Sequence, residues 1–128
     1  MIELVDATWQ DDKIEWRPGD TWTACWNRSL VADVPPYPGV AVRTVNSRTA
    51  PGTALQVNVQ HDAPESPLHR VTTTMLRIGP AGTYLSVGAT SLEVPLPGGD
   101  YDAEIWVDAA EPRLVSHVAI WLRARTAK

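Results

Sequence analysis

Leu92-Glu93-Val94-Pro95-Leu96-Pro97-Gly98-Gly99-Asp100-Tyr101-Asp102-Ala103-Glu104-Ile105-Trp106-Val107, followed after a short turn by the run 114–125, decides the fold class of this chain. Apolar and polar residues alternate with period two through both runs, and the break at Pro95-Leu96-Pro97-Gly98-Gly99 is a turn composition, so this part predicts consecutive antiparallel strands. Period two also sorts the side chains. Tyr101, Ala103, Ile105 and Val107 fall on an inner face, opposite Asp102, Glu104, Trp106 and Asp108. In the last run Leu114, Val118, Ile120 and Leu122 are expected inside, with His117, Trp121, Arg123 and Arg125 outside.

The same pattern extends toward the N-terminus. Residues 2–5 and 13–16 predict short strands flanking Gln10-Asp11-Asp12. Residues 21–27 alternate, with Trp22, Ala24 and Trp26 expected in the core and Cys25 on the other face. The stretch 29–39 holds Pro35, Pro36, Pro38 and Gly39; it cannot sustain a ladder and predicts a polyproline-like surface loop able to make contacts. Residues 40–47 and 54–60 predict two strands joined at Pro51-Gly52, with Leu55, Val57 and Val59 inward. Residues 71–78, rich in threonine, predict a strand of unassigned face. Residues 84–87 and the strand carrying Leu92, Val94 and Leu96 inward complete the set. About nine short strands with turn signals every 8–12 residues or so, and no sustained helical period, predict an all-β fold. The expected form is a single antiparallel β-sandwich over 1–128, immunoglobulin-like or jelly-roll-like, with little or no helix; a closed barrel is the second choice.

The 128 residues suffice for one core, and 44% apolar with 20% charged residues is ordinary globular composition. Six Trp, three Tyr and no Phe place aromatic rings with a polar handle where Phe usually serves. A net charge of −4 gives no overall attraction to phosphate backbones or anionic lipid, so we expect no nucleic-acid and no membrane partner. The acidic start at Met1-Ile2-Glu3 and the absence of a long apolar run predict neither a signal peptide nor a membrane span. One cysteine, Cys25, precludes an internal disulfide, and it has no basic sequence neighbour to activate its thiol.

No catalytic constellation emerges. His61, His69 and His117 are scattered without metal-ligand spacing, so we expect no metal and no cofactor. Asp102, Glu104 and Asp108 share one strand face and are expected to be a solvated polar surface rather than a catalytic acid pair. A hairpin turning through 108–112 would bring Glu104 near His117, a surface pair worth about 0.2–1 kcal/mol. The informative feature is the outward phase of Trp106 and Trp121. Two indoles on a polar sheet face, with Arg123 and Arg125 beside them, have the composition of a protein interface, and the loop Pro35, Pro36, Tyr37 and Pro38 is its expected companion. Two readings compete with it: that another part of the chain covers the face, and that the rings stack on a sugar.

Three motifs in order, Arg17-Pro18-Gly19-Asp20-Thr21-Trp22, Val42-Arg43-Thr44-Val45-Asn46-Ser47-Arg48, and Leu92 through Asp102 leading into paired terminal strands, resemble small β-sandwich domains of tailed-phage virion proteins. The similarity covers roughly residues 14–125. It is to the N-terminal domain of siphophage baseplate upper proteins and to short tail-associated proteins of actinobacterial phages. The resemblance implies a non-enzymatic structural role, other virion structural proteins as partners in several symmetric copies, and a place in the virion after assembly in the host cytoplasm. It differs in the turn, where Val34-Pro35-Pro36-Tyr37-Pro38-Gly39 replaces an Asp-Leu-Thr-Gly type, and in having no fibre extension after residue 128. Tail tip, head-tail connector and capsid surface therefore all stay open as stations, with a glycan- or host-receptor-binding module as the other class.

Overall fold

The computed structural model describes residues 1–7, 16–25, 35–45, 51–65, 67–87 and 90–125. Among them are nine strands: β1 (Ile2–Asp6), β2 (Thr23–Cys25), β3 (Gly39–Val42), β4 (Gln56–Gln60), β5 (His69–Ile78), β6 (Thr83–Val87), β7 (Thr90–Val94), β8 (Gly99–Val107) and β9 (His117–Ala124). They form the predicted sandwich. One sheet has the order β2-β3-β1-β6-β7 and the other β4-β9-β8-β5. The exception to the antiparallel expectation is β4, which runs parallel to β9 along one edge of the second sheet.

The core is the alternation made physical. Ile2 and Leu4 of β1, Val40 and Val42 of β3 and Leu85 of β6 meet Leu76 and Ile78 of β5, Tyr101, Ala103, Ile105 and Val107 of β8, and Val118, Ile120 and Leu122 of β9. Burying each large aliphatic side chain in such a cluster stabilises by about 1.5–3 kcal/mol relative to exposure.

Two crossings between the sheets are latched by polar groups. Between β5 and β6, the Gly79 N–H donates to the buried Asp6 carboxylate at the end of β1. The turn there needs Gly82, whose φ of 101° disfavours any side chain. Between β7 and β8, the Tyr101 hydroxyl donates to the Pro97 carbonyl at 2.6 Å, four residues upstream. This resembles the tyrosine corner that braces connections in β-sandwiches. Gly39 serves a different need: a Cβ there would lie 2.8 Å from the Leu4 carbonyl oxygen across the β1–β3 pair.

Several expectations are corrected. Leu114 is not inside: it belongs to a 3-10 turn, Pro112–Leu114, and is 59% exposed, while the buried place is taken by Val115. That turn shifts the phase by one residue ahead of β9. Leu92 lies on the inward side, opposite Leu85, yet is 58% exposed because β7 is an edge strand. Ala24 pairs with Ala41 on the side of β3 away from the main core, and Cys25 pairs with core-facing Val40, the reverse of the expected facing. Both are buried, since the outer side of this sheet is also covered at Val5, Ala24 and Ala41. Trp22 is half-buried against the core rather than within it. Trp26, residues 13–15 of the strand expected over 13–16 and the loop before Pro35 lie outside the described residues, while Trp16 is not in a strand. Among the described residues no helix is long and apolar enough to cross a membrane.

Candidate functional site

The outer face of the second sheet carries the expected interface residues, and the strand registers fix its layout. Asp100, Asp102, Glu104 and Trp106 run along the centre of the face on β8. On one side stand Arg77, Met75, Thr73 and Arg70 of β5, in that order. On the other, Arg123, Trp121 and Ala119 of β9 lie opposite Asp102, Glu104 and Trp106. Beyond β9, Gln60 lies beside Trp121, Asn58 beside Ala119 and Gln56 beside His117. A column of carboxylates is thus flanked by arginines from both neighbouring strands. The β5 side keeps this phase through a register shift between Arg70 and Thr72, which returns Arg70 to the outer face beside Trp106.

Each carboxylate is engaged. Asp100 accepts from Arg77 Nε at 2.8 Å and Nη2 at 3.2 Å, a bidentate pair that holds the carboxyl below its ordinary range and the guanidinium above its own. Asp102 lies 3.4 Å from Arg125 Nε, and Arg125 Nη1 also reaches Met75 Sδ at 3.3 Å. Glu104 is the centre of the network. Its oxygens accept from Arg123 Nη2 at 2.8 Å and from the Trp106 indole N–H at 3.2 Å, with Arg70 Nη1 at 3.6 Å.

Here the solvated-face expectation is corrected, because Glu104 is only 4% exposed although it sits on the outer side of the sheet. Large neighbours on three strands roof it over. The expected pairing with His117 does not occur either. The connection from β8 to β9 extends from 108 to 116 and includes the 3-10 turn, so the register places Trp121, not His117, opposite Glu104. His117 Nε2 instead lies 2.8 Å from Asn58 Oδ1. Asp108 braces that long connection, accepting from the Ser116 hydroxyl at 2.8 Å and from the backbone N–H groups of Ser116 and His117. Burial pushes this carboxyl up, but those hydrogen bonds outweigh it and hold it below the usual range.

Both tryptophans are half-buried. Trp121 is engaged by its own chain: its indole N–H donates to the His61 carbonyl at 3.0 Å, and the Arg123 guanidinium sits 4.7 Å from its ring centroid. Arg123 is consequently fixed from two directions, by Glu104 and by the indole face. The proline-rich loop meets the same sheet at its edge. Tyr37 N–H donates to the Met75 carbonyl at 2.9 Å, and the Tyr37 carbonyl accepts from Arg77 N–H at 2.8 Å. Pro36, Tyr37 and Pro38 are half-buried and Pro35 is exposed. Trp106, Trp121, Arg123, Arg125 and the loop Pro35–Pro38 therefore gather on one sheet and its border. Arg70 and buried Glu104 were not anticipated as members; the bulge in β5 and the roofing of Glu104 both lie beyond what strand periodicity expresses.

Beside β4 the face borders a cleft of about 380 Å³ of mixed lining, with Asn58, Gln60, Asp62, Glu65 and His117 set among Ala63, Pro64, Pro67 and Leu68. A separate cavity of about 560 Å³ lies by Trp16, where the Arg43 guanidinium stacks 4.1 Å from the ring centroid. Cys25 is buried. Among the described residues no three His, Cys, Asp or Glu side chains converge as metal ligands. Compared with known protein families, curated proteins and solved structures, the chain matches none of them.

Proposed function

We propose that this chain is a non-catalytic structural protein of a tailed-phage virion, associated with the tail tip or baseplate, and that it assembles with other virion proteins through the outer face of the β4-β9-β8-β5 sheet. The observation that carries the docking role is the pair Trp106 and Trp121, partly exposed on a sheet face where arginines and carboxylates are already held in fixed geometry. Rigid indoles and pre-positioned guanidiniums lose little conformational freedom on binding, which is why Trp and Arg dominate the energetics of protein interfaces. The virion setting comes from the resemblance of residues 14–125. Capsid decoration and head-tail connection use the same kind of surface and differ only in station.

The test is particle incorporation. With Trp106→Ala and Trp121→Ala, the isolated domain is expected to stay folded while its incorporation into particles falls at least tenfold, and density for the chain is expected at the tail tip of wild-type particles. Full incorporation of the double variant, or collapse of its melting transition, contradicts the reading. A second reading, a glycan- or receptor-binding module, is favoured by the amide- and carboxylate-lined cleft beside Trp121. Specific wild-type signal on a glycan array, lost on Asn58→Ala, would select it.

A further inference from the structure

We infer that the free edge of β7 is a self-association site, pairing antiparallel with β7 of a second copy of this chain about a two-fold axis through Leu92. The four sheet edges differ in how they are protected. The β5 edge is occupied by the Tyr37 backbone, β2 runs for three residues only, and β4 keeps Val57 and Val59 half-buried. The β7 edge has none of these devices. It is five residues long, contains no Pro, Lys or bulge, and exposes Leu92 by 58%. Among the described residues its only backbone bond outside the β6 pairing runs from the Leu96 N–H to the Val94 carbonyl. Among the described residues nothing pairs with the side of β7 away from β6, and Thr90 through Glu93 are exposed there to a partner strand.

The sequence of β7 selects a second copy as that partner. With the two-fold axis at Leu92, all five residues overlap, Leu92 faces Leu92, Thr90 faces Val94, and Ser91 faces Glu93. Each Glu93 then meets a hydroxyl rather than another carboxylate. Moving the axis to Glu93 would oppose two like charges directly, which is destabilising in an antiparallel pair, and would shorten the overlap. Leu92 shares a face with core residue Leu85, so the two leucines would extend the inner apolar face across the joint and cover each other. The first sheets of two molecules would become one continuous ten-stranded sheet. This contact lies on a different sheet from Trp106 and Trp121 and does not depend on the role proposed for them.

Sedimentation equilibrium of the 128-residue chain tests the inference. The expected result is a concentration-dependent rise from 14.0 kDa toward twice that mass between micromolar and millimolar protein. Leu92→Lys should return the mass to that of the monomer at every concentration without changing the melting temperature, while Trp106→Ala should leave association intact. In parallel, amide exchange across residues 90–94 of the wild type should slow as concentration rises, a readout that stands if Leu92→Lys fails to fold. A wild-type chain that stays monomeric into the millimolar range, exchange at 90–94 that is independent of concentration, or a dimer that Leu92→Lys leaves unchanged, overturns it.

Discussion

Replacing Glu104 with alanine is the most direct probe of the outer sheet face, because its effect depends on whether the carboxylate is buried in a working network or merely lies on a wet surface. The Glu104 side chain is 6% exposed, and its partners Arg123 and Arg70 are 49% and 58% exposed. Removing one member of a wholly buried ion pair destabilises by about 3–5 kcal/mol, because the remaining charge cannot rehydrate. Both arginines here can rehydrate, so the full value does not apply. What is lost is a charge-assisted hydrogen bond to Arg123, worth about 1.5–3 kcal/mol, and the Trp106 N–H bond, part of which water replaces. The expected destabilisation is about 2–3 kcal/mol, a fall in melting temperature of roughly 6–12 °C for a domain of this size. Urea unfolding at neutral pH measures it, and the m-value should not change. Glu104→Gln, which keeps an acceptor for the indole, should lose about half as much. Arg123→Ala combined with Glu104→Ala should show coupling of about 1 kcal/mol or more. A loss below about 0.5 kcal/mol for Glu104→Ala would be that of an ordinary exposed pair and would refute the roofed-carboxylate argument.

Tyr101→Phe removes only the hydroxyl that braces Pro97 and should destabilise by about 0.5–1.5 kcal/mol in denaturant titration, with the core unchanged. Asp108 gives a pH signature. Its carboxyl is held lower in the folded protein than the value near 3.9 of an unfolded chain, so the stability it contributes is complete above that value and is lost as pH falls through the folded one. Asp108→Asn should therefore flatten the acid limb of the stability–pH curve below about pH 4. Asp100, held low by Arg77, acts in the same window, so the measured quantity is the difference between wild type and variant; an unchanged acid limb would contradict the assignment.

The two terminal strands were legible in the sequence because each turns one apolar face to the core and sets mainly polar or charged side chains on the other, the condition under which period two reports facing. Tyr101, Ala103, Ile105 and Val107 follow it without exception, as do Val118, Ile120 and Leu122. Legibility ends where that condition ends. Leu92 obeys the alternation in direction but not in burial, because a strand's position in the sheet order is a property of the whole fold. Leu114 fails because a 3-10 turn advances the chain by a different number of residues per turn from a strand. At β2 both faces are covered, so the alternation there does not report which side faces the core, and Ala24 and Cys25 exchange places relative to the expectation.

Glu104 shows why the candidate site was only half legible. Period two placed it on the outer face and was right, but an outer face is a wet face only when its neighbours are small or mobile. Here the registers put Trp121 opposite it on β9, Trp106 two residues along its own strand and arginines from both adjoining strands within reach. Their combined bulk buries the carboxylate, and the carboxylate in turn aligns the groups that bury it. The network thus settles which side chains an incoming partner would meet, and in what pose: a guanidinium fixed over Trp121, and an indole at Trp106 whose N–H is already taken and whose accessible surface is therefore chiefly apolar. A partner binding this face gains from covering apolar ring surface and need not supply an acceptor for either indole N–H. By that logic the Trp106→Ala loss should persist at high salt, whereas contributions from Arg77 and Arg125 at the exposed end of the column should fade as salt is raised.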